Sequence, residues 1–113
     1  MKILVIEDSD CRIQVFKARW PDCVVVKNYR AAIRNLKSQV FDVVWFDHDL
    51  GGNKTGYDVA LWMMDNAKFP VKAYVHSWNA AGAQRIKAVL DEAGVECVVE
   101  PFSVELIWRT NKT

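Results

Sequence analysis

Short apolar runs alternate along this chain with stretches whose apolar residues recur at helical spacing, and this alternation leaves few possible folds. Five runs are short enough to be strands, and they lie at residues 2–6, 24–26, 42–46, 71–75 and 95–99. Strands that alternate with helices predict a parallel sheet covered by helices on both faces. The sequence therefore predicts a three-layer, doubly wound α/β domain with a five-stranded parallel sheet.

The stretches between these runs carry helix signals. Ser9, Asn28 and Ser103 each stand where a side chain can cap a helix, and a further helix is predicted from about Tyr57 to Asn66. Two apolar stripes predict buried helix faces, and their members are Ala32, Ile33, Leu36 and Val40 in the second helix and Ala83, Ile86, Leu90 and Ala93 in the fourth.

The length and charge of the chain predict how many domains it has and which kinds of partner they disfavour. The 113 residues fit one domain, so we predict a single domain over residues 1–113 with a frayed tail at residues 109–113. Lysine and arginine number 15 against 14 acidic residues, which argues against a broad basic face for duplex nucleic acid and leaves room for a local patch. Three cysteines without CxxC spacing, and an amino-terminal apolar run too short for a membrane span, predict a cytoplasmic protein.

The predicted topology gathers polar residues at one edge of the sheet. Right-handed crossovers leave few arrangements, and the common strand order at this length is 2-1-3-4-5, with ligands beyond the carboxyl ends of the strands. The ionisable and polar residues that follow strands 1, 3, 4 and 5 are Glu7, Asp8, Asp47, His48, Asp49, His76, Ser77, Asn79 and Glu100. We expect these residues to converge.

Crowded carboxylates predict a cation at this edge. They repel one another and raise one another's pKa, and a divalent cation held by Glu7, Asp8 and Asp47 would resolve the repulsion. Oxygen ligands favour Mg²⁺ or Mn²⁺, and nearby histidines also admit iron or zinc. We expect both His48 and His76 at the solvent-facing edge, where one imidazole can act as acid and the other as base.

Each of these residues also has a structural interpretation. Acidic residues at strand ends are often solvated caps, and Asp49 can be an ordinary loop residue. Ser77 and Asn79 can cap the fourth helix. Lys54, in the glycine-rich loop after strand 3, can be solvated or can contact a phosphate.

The same residues resemble a response-regulator receiver domain over nearly the whole chain. Residues 3–8 look like its first strand with the acidic metal pair, and residues 41–47 look like its third strand, which ends in the phospho-acceptor aspartate. Gly56 stands where receivers have a glycine, and residues 99–102 look like their Lys-Pro-Phe signature. Two positions depart from the pattern, since Glu100 replaces the lysine and Ser77 matches the expected threonine only loosely. The resemblance implies a receiver, flavodoxin-like fold.

Two motifs resemble one divergent branch of that family, the cyclic-phosphate-processing receiver domains of bacteria and phages. They are Asp47-His48-Asp49-Leu50 and His76-Ser77-x-Asn79. The resemblance implies a phosphodiesterase that opens a 2′,3′-cyclic phosphate at an RNA end or a cyclic nucleotide. In that interpretation His48 and His76 transfer protons, in either order, and Asp47 helps to hold the metal. Asp49 orients a histidine, while Ser77, Asn79 and Lys54 contact the phosphate.

The alternative is a signalling or interaction module, either a receiver phosphorylated on Asp47 or a pseudo-receiver that binds a partner. The glutamate at position 100 argues against the ordinary switch, because phosphate on Asp47 would lack its cationic partner. A pseudo-receiver would not need two histidines at the edge.

Overall fold

The structure, a computed structural model, describes residues 1–110. Its elements are β1 (Ile3–Ile6), α1 (Asp10–Arg19), β2 (Val24–Val26), α2 (Tyr29–Ser38), β3 (Val43–Phe46), α3 (Gly56–Asn66), β4 (Lys72–Val75), α4 (Ala80–Glu92), β5 (Glu96–Val99) and α5 (Val104–Arg109). The tail predicted to fray begins inside α5, because Arg109 ends this helix and Thr110 caps it, and its fraying stays a prediction. Its remaining residues, 111–113, lie outside the described part of the chain.

The five strands form one sheet in the order β2-β1-β3-β4-β5. The pairings of β1 with β2 and β3, and of β4 with β3 and β5, are all parallel. The predicted fold class and strand order are therefore confirmed.

Alternate residues of the central strands bury into two separate cores. Leu4, Val44 and Ala73 pack on the face covered by α2, α3 and α4, whereas Val5 and Trp45 pack on the face covered by α1 and α5. Because the sheet is covered on both sides, its central strands are apolar throughout. Each large side chain removed from water contributes roughly 1.5–3 kcal/mol to folding.

The helical stripes agree with the structure except near their ends. Ala83, Ile86 and Leu90 of α4 are completely buried, as predicted. Val40 is 73% exposed, so its assignment to the buried stripe of the second helix is wrong. The reason is that α2 ends at Ser38 and Gln39 is already extended, which takes the chain off the helical path before Val40. No helix within residues 1–110 is long and apolar enough to cross a membrane.

Candidate active site

The strand register sets four ionisable residues side by side. Ile6, Phe46, Val75 and Val99 align across β1, β3, β4 and β5, and the residues that follow them are Glu7, Asp47, His76 and Glu100. The backbone N–H of Asp47 donates to the carbonyl of Ile6, and that of His76 to the carbonyl of Phe46, both at 3.0 Å. Because successive side chains alternate between faces, aligned positions share a face. The predicted convergence rests on this geometry.

A buried pair of Glu7 and His76 forms the floor of the site. Both side chains are fully buried, and His76 Nε2 lies 2.8 Å from Glu7 Oε1. The backbone N–H of Ser9 donates to Glu7 Oε2 at 3.0 Å. Burial raises the pKa of Glu7, but the hydrogen bonds from His76 and Ser9 outweigh it and hold this pKa below its usual value. Glu7 is therefore a carboxylate at neutral pH.

His76 is a neutral imidazole in this setting. Burial lowers the pKa of His76 below its usual value, although the bond to Glu7 opposes that shift. A carboxylate only accepts hydrogen bonds, so Nε2 carries the proton shared with Glu7. Nδ1 is buried and has no hydrogen-bond partner among the described residues; a second proton there would be an unsatisfied buried donor. The prediction that His76 faces solvent is wrong, because the rings of Phe16 and Phe102 cover it at centroid distances of 5.2 and 6.2 Å.

Asp47 lies beside this pair, and its pKa is strongly raised. Burial, followed by repulsion from Glu7, raises the pKa of Asp47 to about 7. The backbone N–H of His48 donates to Asp47 Oδ1 at 2.9 Å and offsets only part of that effect. At neutral pH, Asp47 is therefore poised between a carboxylic acid and a carboxylate.

A second histidine–carboxylate pair lies at the rim. His48 Nδ1 is 2.8 Å from Asp49 Oδ1, and Asn79 Nδ2 donates to the same oxygen at 3.4 Å. Because Asp49 can only accept, the proton of a neutral His48 sits on Nδ1, which leaves Nε2 as a free base. His48 is 8% exposed, so the prediction of a solvent-facing side chain is wrong here too, whereas Asp49 is exposed.

The His48 ring packs against the backbone of Gly82 in the first turn of α4. A Cβ on Gly82 would lie 2.4 Å from His48 Cγ, so only glycine allows the ring to pack there. Asn79 caps α4 by accepting from the N–H of Gly82 at 2.9 Å, and Ser77 Oγ accepts from the N–H of Asn79 at 3.0 Å. The capping interpretation of Asn79 therefore holds, and Ser77, although largely buried, lines the same pocket as Asn79.

An open pocket of about 320 Å³ lies at this edge of the sheet, and neither His48 nor His76 is among its lining residues. Asp8, Asp47, Asp49 and Asn79 line it, and the guanidinium of Arg12 joins them, with Nη1 3.7 Å from Glu7 Oε1. Sequence reasoning missed Arg12 and Gly82. A basic residue in the first turn after the acidic pair was the available signal for Arg12, and a costly glycine inside a helical pattern was the signal for Gly82.

Two other predicted residues lie away from the pocket. Lys54 Nζ stands 5.4 Å from the ring centroid of Tyr29 and lines a different groove. Glu100 forms an ion pair with Arg109 of α5. Within residues 1–110, Glu100 therefore pairs with α5 and is not among the residues that line the pocket.

One set of donors could hold a metal ion. Glu7, Asp47 and His76 each offer a ligand atom, and these atoms lie within 4.8 Å of one another. Asp8, which we predicted as a ligand, is exposed at the mouth of the same pocket and is not in this group. Two buried carboxylates, Glu7 and Asp47, lie together with only the guanidinium of Arg12 as a nearby cation among the described residues, and the pKa of Asp47 is still raised. A bound cation would relieve the repulsion between these carboxylates. The residues therefore fit a divalent cation.

Residues 2–92 match the model of the cyclic-phosphate processing receiver domain family. The chain belongs to this family. The match covers both histidine–carboxylate pairs and ends before Glu100. No curated protein sequence matches the chain.

Solved structures of response regulators resemble this receiver domain in fold. The phosphorylated cyanobacterial phytochrome response regulator RcpA is 18% identical with a TM-score of 0.73, over 96% of this chain and 86% of that one. The Mn²⁺-bound form of response regulator Rcp1 is 15% identical with a TM-score of 0.72, over 94% and 88%. The receiver domain of Francisella response regulator 1452 is 20% identical with a TM-score of 0.72, over 96% and 91%. These similarities establish the receiver fold.

Proposed function

We propose that this receiver domain is a phosphoesterase that hydrolyses a cyclic phosphate, either a 2′,3′-cyclic phosphate at an RNA end or a cyclic nucleotide. The observation that carries the proposal is the presence of two histidine–carboxylate pairs, Glu7–His76 and Asp49–His48, at the carboxyl edge of one small sheet. A phosphorylation switch needs neither pair. A hydrolase needs a positioned base and a site that stabilises phosphate charge.

His48 is the proton-transfer group in this proposal. Asp49 holds its Nδ1–H at 2.8 Å, which fixes the tautomer and leaves Nε2 free to take a proton. Nε2 removes a proton from water as the water oxygen attacks phosphorus and the bond from phosphorus to one ring oxygen breaks. The released alkoxide takes a proton from solvent and His48 returns its proton to solvent, so one water is added in total and the product is an acyclic phosphate monoester.

The buried cluster would hold the charge of the phosphate. His76 is enclosed by aromatic rings and bonded to Glu7, so it serves to position Glu7 rather than to exchange protons with the substrate. Glu7 and Asp47 would hold a divalent cation through their oxygens, which suits Mg²⁺ or Mn²⁺. His76 would join them as a nitrogen ligand only after Nε2 gave up the proton that it shares with Glu7. Such a cation would offset negative charge on the phosphate oxygens and on the leaving alkoxide. Arg12 and Asn79 line the pocket and can donate hydrogen bonds to the same oxygens.

The test is an assay against 2′,3′-cyclic nucleotides and RNA with a cyclic-phosphate end, with Mn²⁺ and with chelator. We expect turnover that His48→Ala lowers roughly 10²–10⁴-fold and that Asp49→Asn lowers about 10–100-fold. Asp65→Asn is the matched control for Asp49→Asn, because Asp65 is an exposed aspartate on α3. Full activity in His48→Ala would contradict the role given to this histidine.

The alternative function is a signalling receiver with Asp47 as phospho-acceptor. The position of Asp47 at the end of β3 favours it, and the pairing of Glu100 with Arg109 disfavours it, because no lysine reaches Asp47 from that position. Absence of turnover on every cyclic phosphate, together with uptake of phosphate on Asp47 from acetyl phosphate, would establish the alternative.

A further inference from the structure

A cationic groove of about 940 Å³ lies between α2 and the loop that joins β3 to α3. Arg30, Arg34 and Lys37 of α2 line one side, and Lys54 of the loop lines the other. All four side chains are exposed, and none of them forms an ion pair with another residue of the range 1–110. In a chain with a net charge of +1, four unpaired cations along one groove are a local concentration of positive charge.

The three cations of α2 form a row rather than a cluster. Their spacing of four and then three residues puts them on one face of the helix. From Arg30 to Lys37 the helix rises about 10 Å. That length exceeds a single phosphate group and spans successive phosphates of one strand. The row therefore suits an extended polyanion better than a single anion.

The groove starts beside the candidate active site. Gly51, which lines the groove, has φ of +63°, and a Cβ built on it would lie 3.5 Å from Asp8 Oδ2. Asp8 lines the pocket above the buried cluster. The groove and the pocket thus adjoin across the contact between the loop and the end of β1.

An aromatic ring completes the groove. Tyr29, at the start of α2, is half-buried and lies under the ammonium of Lys54, whose Nζ is 5.4 Å from the ring centroid. Proteins that bind single-stranded nucleic acid combine a positive groove that follows the phosphates with aromatic rings on which bases stack. An acidic protein would also be attracted to the cations, but the neighbouring pocket offers groups suited to a phosphate ester.

We propose that this groove binds the sugar-phosphate chain of a single-stranded RNA whose end lies in the pocket. The inference rests on the proposed function for its account of that end, and it names the RNA strand, rather than a free cyclic nucleotide, as the substrate class. Arg30, Arg34 and Lys37 contact the phosphates. Lys54, which lies over the Tyr29 ring in this structure, moves to a phosphate and leaves that ring free to stack on a base.

Fluorescence anisotropy with a labelled, unstructured RNA of about ten nucleotides, a length within the usual single-strand site sizes, tests the groove without relying on turnover. The variant Arg34→Gln/Lys37→Gln is compared with Lys17→Gln/Lys68→Gln, which removes the same charge from exposed lysines elsewhere. We expect wild type and control to bind with a slope of log Kd against log salt of about 2–3, near 0.7 per phosphate. The groove variant should bind roughly 10-fold more weakly, with the slope reduced by about 1.4.

Equal Kd and slope in the groove variant and the control would overturn the proposal, as would the absence of RNA binding by wild type. Tighter binding of polyglutamate than of RNA would also overturn it, in favour of an acidic protein partner. A parallel assay of RNA with a cyclic-phosphate end tests the proposed function separately. Loss of RNA binding in the groove variant supports the groove whether or not that end is hydrolysed.

Discussion

Replacing Asp47 by asparagine should stabilise the metal-free protein at pH 8. Asparagine has nearly the same shape and its side-chain oxygen can still accept the hydrogen bond from the backbone N–H of His48. It removes the charge that burial and Glu7 oppose. The same substitution removes a ligand of the proposed cation site, so a gain in stability is expected to accompany a loss of function.

The pKa of Asp47 sets the size of this effect. A rise from 3.8 in an ordinary aspartate to about 7 in the folded protein corresponds to about 4 kcal/mol of lost stability when Asp47 is ionised. A bond to an amide oxygen is about 1 kcal/mol weaker than one to a carboxylate, so the expected net gain is about 3 kcal/mol.

The dependence on pH has a definite sign. Because the folded-state pKa lies above the unfolded one, the folded protein binds the extra proton between pH 3.8 and about 7. Wild-type stability should therefore fall as pH rises through this window and stay low above it. The advantage of Asp47→Asn should be smaller at pH 5 than at pH 8 by roughly 3 kcal/mol.

Urea unfolding in the presence of chelator measures both values. The control is Asp65→Asn, which removes an exposed carboxylate from α3 and should change stability by less than about 0.5 kcal/mol. If Asp47→Asn is no more stable than wild type at pH 8, the account of an uncompensated buried carboxylate is wrong.

Three other predictions follow from the packing and from the cluster. Ile86→Ala should lower the free energy of unfolding by about 2–5 kcal/mol, because Ile86 is completely buried and the change leaves a cavity; an unchanged urea midpoint would contradict this. Gly82→Ala should displace the His48 ring, which a Cβ would approach to 2.4 Å, and so lower turnover about as much as His48→Ala; wild-type turnover would show that the ring position is unimportant. Water-proton relaxation should detect Mn²⁺ binding by wild type and Asp65→Asn but not by Asp47→Asn, and equal binding by all three would exclude Asp47 as a ligand.

The fold and the edge of the sheet at which the site lies could both be predicted from the amino-acid sequence. Strand and helix periods are local properties, and the handedness of crossovers limits the topology to few choices. The register at Ile6, Phe46 and Val75 then brings the residues that follow these strands together. For this reason Glu7, Asp47 and His76 could be assigned to one site without any knowledge of their side-chain contacts.

The environment of each side chain depends on contacts that form only when distant parts of the chain pack together. His76 became buried because Phe16 of α1 and Phe102, just before α5, close over it, and no pattern near residue 76 contains those contacts. The position of His48 depends on Gly82 of α4, and Glu100 left the cluster because Arg109 pairs with it. Burial and pairing are set by residues distant in sequence, and they determine which histidine is a free base, which carboxylate has a raised pKa, and where unpaired cations remain.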